Sequence, residues 1–136
     1  MITTKLPEKA NYIAPDGSEI RLLPTFGSGG LCHCTLPVGA TSQAVRHKTV
    51  EEIWYVLEGE GQIWRQNDYE KPLVIAVSPG SCITIPVQTS FQFRNMGTSD
   101  LKIIIVTIPA WPGSDEAVPV KGMWDASVSI SVSKMS

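Results

Sequence analysis

The sequence predicts an all-β domain, on three observations. The chain carries 10 prolines and 11 glycines, which cut it into short segments. Those segments are rich in β-branched and aromatic residues and follow one another at regular spacing. Nowhere do apolar residues recur at helical spacing over a window of about eleven residues. A chain of 136 residues is expected to be one domain, large enough to bury a core without a covalent staple. No internal repeat stands out.

Taken in order, residues 1–18 are polar and end in an Asp16-Gly17 hairpin signal. Glu19 to Leu23 reads as a strand stopped by Pro24, and Phe26 to Gly30 as a glycine-rich turn. Leu31 to Leu36 is a second strand, closed by Pro37 and Gly39. Ile53 to Leu57 is apolar at every position, which predicts burial on both faces, in a sandwich or at an oligomer contact. Gln62 to Gln66, Pro72 to Val77 and Cys82 to Ile85 are strands separated by turns at Asn67–Lys71 and Ser78–Gly80. Ser90 to Arg94 alternates, so Phe91 and Phe93 share a face. Leu101 to Ile108 is the longest strand. The β domain is thus expected over 1–109, with 110–136 as a C-terminal arm. In that arm, Ser127 to Ser133 alternates Ser with apolar residues and reads as an edge strand or a disordered tail. Trp111 and its acidic neighbours read either as a cover over the barrel mouth or a dimer groove, or, preferred, as an arm packed on the outside; Trp124 reads as an anchor.

Composition narrows the function classes. The net charge is −2 with no Lys/Arg run, so nucleic acid and anionic membrane find no electrostatic footing. Ile103 to Ile108 is too short to span a bilayer, and the N-terminus lacks the apolar core of a signal peptide. Three cysteines, two of them Cys32 and Cys34 in one apolar stretch, read as reduced thiols in a cytoplasmic protein.

The densest chemistry lies between Gly39 and Gly59, which contains His47, Glu51 and Glu52. Gly39, His47, Glu52 and Gly59 fall at the spacing G-x5-H-x-H-x4-E-x6-G, with Val45 where the first histidine would stand. Gly80, Pro86 and Asn95 fall at the spacing G-x5-P-x-G-x2-H-x3-N, with Gln88 in place of the glycine and Phe91 in place of the histidine. These two segments resemble the paired motifs of the cupin superfamily, and the resemblance covers roughly residues 30–109. It implies a double-stranded β-helix, a jelly-roll barrel of two antiparallel sheets, often a homodimer. In that family two histidines, the glutamate and the later histidine bind one divalent metal inside the barrel.

Here two of those four positions are carbon. Residues 45 and 47 share a face of a strand, so an inward His47 brings Val45 inward with it. Glu52 joins them only if Lys48 to Glu51 turn or bulge, which leaves Glu51 pointing out. His47 and Glu52 alone are an incomplete metal set, since protein sites normally supply at least three ligands. Gln88, Gln92, His33, Cys32 and Cys34 are the candidates to complete it, although His33 falls on the opposite face from the two cysteines. Otherwise His47 is expected to pair with Glu52, which would favour the imidazolium and make a metal-free acid/base couple. Trp54, Phe91 and Phe93, with Val45 and Gln88, are the expected pocket wall, with Val56 deeper.

Three functions follow as expectations. The first is a small-molecule-binding cupin barrel with a degenerate metal site, acting through His47 and Glu52 as an isomerase, cyclase or dehydratase. The second is a divergent metal-dependent oxygenase or isomerase holding Fe, Mn, Ni or Zn weakly. The third is a non-catalytic structural or regulatory barrel. The lack of an inward Arg or Lys in either motif argues against anionic sugars and phosphates.

Overall fold

The computed structural model describes residues 1–127. The chain is all-β: β1 (Tyr12–Ile13), β2 (Glu19–Phe26), β3 (Gly29–Leu36), β4 (Val45–His47), β5 (Glu51–Glu58), β6 (Gly61–Gln66), β7 (Leu73–Val77), β8 (Cys82–Ile85), β9 (Ser90–Asn95), β10 (Leu101–Ile108) and β11 (Ala117–Pro119). One short 3-10 turn, Ser114–Glu116, precedes β11. The strands form two antiparallel sheets, a six-stranded one in the order β1-β2-β3-β10-β5-β8 and a five-stranded one in the order β11-β4-β9-β6-β7. No helix among the described residues is long and apolar enough to cross a membrane.

The core lies between the sheets. Trp54, Phe91, Phe93, Ile63, Leu101 and Ile103 are fully buried there. Each side chain of this size stabilises the fold by about 1.5–3 kcal/mol through burial alone. Trp54 meets Phe91 edge-on at 5.5 Å and Phe93 at 4.9 Å, the arrangement that aromatic quadrupoles favour.

Strand β5 departs from the expectation of two buried faces. Glu52, Trp54 and Val56 are buried, while Ile53, Tyr55 and Leu57 are 40%, 47% and 41% exposed. The physical reason is that the second sheet covers only the inner face of this strand. Within one chain the sandwich reading therefore fails for this outer face, and the continuous apolar pattern marks an apolar outer surface.

Strand β2 runs past Pro24 instead of stopping there. Its register against β3 shifts between Leu22 and Thr25, so the missing N–H of Pro24 falls where the ladder is already interrupted. Gly29 and Gly30 belong to β3, not to a turn. A side chain at Gly30 would meet Thr25 Oγ1 at 2.9 Å and Thr107 Oγ1 at 3.1 Å, so close packing of β2 and β10 requires glycine here.

The tail differs most from expectation. Residues 117–119 pair with β4 and complete the five-stranded sheet, and Trp111 turns inward over the cavity instead of packing outside. Trp124 is held in place: its N–H donates to Gln92 Oε1 at 2.9 Å, and the Arg94 guanidinium lies 4.2 Å above its ring. Of the alternating run from Ser127 to Ser133, only Ser127 is within the described residues; its Oγ accepts from Thr41 N at 2.7 Å.

Gly59 closes the hairpin between β5 and β6 with φ +87, and a Cβ there would lie 2.6 Å from Asp100 O. Gly39 also has positive φ, +75, but open space around it. Gly59→Ala is therefore expected to cost about 3 kcal/mol and Gly39→Ala only about 1 kcal/mol, measured by urea unfolding.

Candidate functional site

His47 is the last residue of β4, held by the β11 ladder on one side, where it pairs with Ala117. Its ring points into the barrel and is only 4% exposed. Phe91 lies edge-on at 5.1 Å and Trp111 at 4.9 Å. Its Nδ1 is buried and meets no hydrogen-bond partner among the described residues. Burial pushes its pKa down to about 4, against the opposing pull of the Glu116 charge.

The chain then changes sheets over residues 48–50, so Glu52 on β5 also faces inward. Glu51 stays exposed, as the turn requires. Glu52 is 7% exposed and its Oε1 accepts from Trp54 Nε1 at 2.9 Å, a neighbour two residues along the same face. Burial raises its pKa to about 8; the Trp54 bond lowers it, and the charges of Asp16 and Glu116 raise it further.

The expected His47–Glu52 ion pair is therefore corrected. Glu52 spends its bond on Trp54, and the charge acting on His47 is that of Glu116. Both groups are uncharged near neutral pH, and no imidazolium is favoured. Their usual order is inverted: the imidazole gives up its proton first.

Glu116 was not visible in the sequence as a site residue. Its carboxylate is 4% exposed and reaches back to the sheet crossing. Thr49 N and Thr49 Oγ1 each donate to it at 2.6 Å, and Val50 N donates at 2.9 Å. Burial works against its ionisation, but these donors outweigh it and hold the pKa below the ordinary carboxylate value.

His47 and Glu52 border a cavity of about 590 Å³. Val45, Trp54 and Phe91 line it with His47 and Glu52, as expected. Phe93 does not; it lies behind Trp54 in the core. Gln88 does not either; it is exposed, and its Nε2 donates to Lys48 O at 2.8 Å. Its φ of +63 explains the glycine expected at that turn, and the Lys48 bond helps hold a side chain there. Among the lining residues that sequence reasoning missed are the polar Asp16 and Ser18, and Trp111 takes the mouth-covering place that was the less preferred reading. Asp16 Oδ1 accepts from Ser18 N at 2.9 Å and Ser18 Oγ at 2.6 Å. The Asp16-Gly17 signal located this turn but not its direction into the barrel. Among the described residues, no Lys or Arg lines the cavity.

The fold family implies a divalent metal, and the side chains present do not fit one. Val45 and Phe91 are register partners across β4 and β9, so two ligand positions form one hydrocarbon patch. Among the described residues, no three His, Cys, Asp or Glu gather to hold an ion. The expected helpers lie elsewhere. Gln92 Nε2 donates to Ser42 O and Trp124 O. Cys34 is in the core, and His33 faces Arg21 and Lys102 on the other side of β3. Cys32 lines the cavity, but burial pushes its thiol up to about 12, aided by the charges of Glu52 and Asp16.

Two antiparallel sheets wrapped around inward-facing side chains define a double-stranded β-helix, a jelly-roll barrel. The chain belongs to the Cupin domain family, which matches residues 32–107. It is 32% identical over 123 residues to an uncharacterized protein of Methanocaldococcus jannaschii, covering 87% of this chain and 94% of that one. Similar folds include a predicted oxalate decarboxylase of Thermotoga maritima, with 19% identity and TM-score 0.66 over 79% of this chain and 99% of that one. The capsular polysaccharide assembling protein CapF of Staphylococcus aureus shares 16% identity and TM-score 0.69, over 90% of this chain and 35% of that one. The Cnp3 cupin domain of Schizosaccharomyces pombe shares 11% identity and TM-score 0.62, over 79% of this chain and 69% of that one.

Glu116→Ala leaves the Thr49 and Val50 amides without their charged acceptor, and is expected to cost about 3 kcal/mol in urea unfolding. The pH dependence follows from the other two groups. Folded, Glu52 keeps its proton to about pH 8; in the unfolded chain it loses it near 4.5. In that window the folded state binds more protons, so stability falls as pH rises. His47 acts oppositely between about 4 and 6.5, offsetting Glu52 there. The unfolding midpoint is expected to drop by roughly 5 °C between pH 6.5 and 8. Glu52→Gln should remove most of that slope. A flat wild-type profile would show that Glu52 is ionised throughout.

Proposed function

We propose that the protein binds a small, mostly apolar molecule in the barrel and can move protons on it without a metal, through His47 and Glu52. The observation that carries this reading is the cavity of about 590 Å³ that opens beside both residues. Its volume lies in the range of small-molecule sites, and its walls combine aromatic rings with a few polar groups.

The electrostatics support acid/base work. Near neutral pH His47 has a lone pair to accept a proton, and Glu52 carries a proton to donate. Two titratable groups pushed apart by their surroundings provide one base and one acid in the same chamber. Shifting a proton between neighbouring atoms, as in an isomerisation, or removing the elements of water, needs that combination. A small dianion of the kind implied by the names of the oxalate decarboxylases is disfavoured, because no cationic side chain among the described residues lines the cavity.

The test is elemental analysis of protein purified without a metal-affinity column, beside the His47→Ala variant. No stoichiometric metal is expected in either. Near-unit iron, manganese, nickel or zinc, lost in His47→Ala, would replace this reading with a metal-dependent one.

A further inference from the structure

The cavity holds ionisable groups of one sign. Asp16 and Glu52 both line it, and among the described residues no Lys or Arg does. The charges of Asp16 and Glu116 both act on Glu52, and each disfavours its ionisation. His47 brings no compensating charge near neutral pH, because burial pushes its pKa down to about 4. The same walls carry the aromatic rings of Tyr12, Trp54, Phe91 and Trp111.

Glu52 also has an oxygen to spare. The residue is only 7% exposed, and its Oε1 accepts from Trp54 Nε1 at 2.9 Å. Oε2 meets no donor among the described residues, yet it is not sealed from water as His47 Nδ1 and Trp111 Nε1 are. A molecule in the cavity can therefore reach it without any movement of the walls. Asp16 enters from the turn before β2, where Ser18 N and Ser18 Oγ donate to its Oδ1 at 2.9 and 2.6 Å.

The ligand's chemistry follows from what this arrangement lacks. A carboxylate would add a third like charge to the chamber. A hydroxyl or carbonyl could bond to Glu52, but it would leave the repulsion between the carboxyls in place. An ammonium group donates to the open oxygen and turns that repulsion into attraction. Aromatic faces favour the same charge.

We infer that the cavity takes an apolar organic amine, its nitrogen held on Glu52 Oε2 in the field of Asp16 and its apolar body against Trp54 and Phe91. This rests on the binding reading above and names the class of molecule for that same chamber. A free amine takes the proton of Glu52, and an ammonium arriving from solvent displaces that proton to water. Either way the complex holds one ammonium and one carboxylate. Toward a free amine, Glu52 is the acid of the reading above.

Three matched probes test it by calorimetric titration of the full chain at pH 8, where Glu52 has begun to ionise: 2-naphthylmethylamine, 2-naphthylmethanol and 2-naphthoate. The amine is expected to bind about tenfold tighter than the alcohol, the worth of one charge-assisted hydrogen bond, with 2-naphthoate weakest. In Glu52→Gln, which keeps an oxygen for Trp54, that advantage should shrink to about twofold or less. Asp16→Asn should reduce it as well. The alcohol should still bind both variants, which reports that they are folded. Amine binding no tighter than the alcohol in the wild type would overturn the amine assignment and leave the cavity reading standing. Tightest binding of 2-naphthoate, or an amine advantage untouched in Glu52→Gln, would overturn it too. No binding by any probe would overturn the cavity reading itself, and this inference with it.

Discussion

The site depends on one buried carboxylate. Glu116 accepts three hydrogen bonds from Thr49 and Val50, residues 66 and 67 positions earlier in the chain. That is the point where the backbone leaves one sheet for the other, with His47 just before the crossing and Glu52 just after. The backbone oxygen of Glu116 also accepts from Lys48 N, and the next residue, Ala117, pairs with His47. Trp111 lies five residues upstream of this clamp. The crossing between His47 and Glu52 is thus clamped by one side chain, whose charge also acts on both groups.

Burial then sets the charge state. An imidazole and a carboxyl close enough to touch would stabilise each other as ions. Here aromatic rings surround His47, and Trp54 takes the bond that Glu52 might have offered it. Desolvation is the leading cause at both groups, and it acts in opposite directions on a base and an acid. Glu116 escapes the same fate only because three donors converge on it. Three neighbouring residues of the same barrel thus reach three different protonation behaviours from burial and the hydrogen bonds that do or do not offset it.

Much of the fold was legible. The strand limits of Cys82–Ile85 and Leu101–Ile108 follow directly from where prolines and turns interrupt β-branched runs. The inward placement of His47, Val45, Trp54 and Phe91 follows from motif spacing and strand alternation. The failures have physical causes. Ile53, Tyr55 and Leu57 look like core because hydrophobicity alone does not say whether a second layer covers a face. Pro24 looks like a strand end because a register shift is invisible without its partner strand. Glu116 and Trp111 act on the site across more than 60 positions of sequence, and only tertiary folding brings them there. The Asp16-Gly17 turn was read correctly as a turn, yet its carboxyl points into the cavity, a direction no dipeptide signal encodes.

The two departures from the family's metal motif are a single structural event. Val45 and Phe91 face each other across the β4–β9 ladder. A histidine restored at either position alone would press an imidazole against the other's hydrocarbon and against a His47 already packed by Phe91 and Trp111. Such a side chain would be buried without partners, which costs more than the original carbon. The replacements therefore support each other, and together they give His47 the dry surroundings that lower its pKa. Similarity of fold at 11–19% identity carries the barrel and its inward positions. It does not carry the chemistry, because the chemistry is decided by which atoms occupy those positions, and in this chain the corner that would hold an ion is filled with a valine and an aromatic ring.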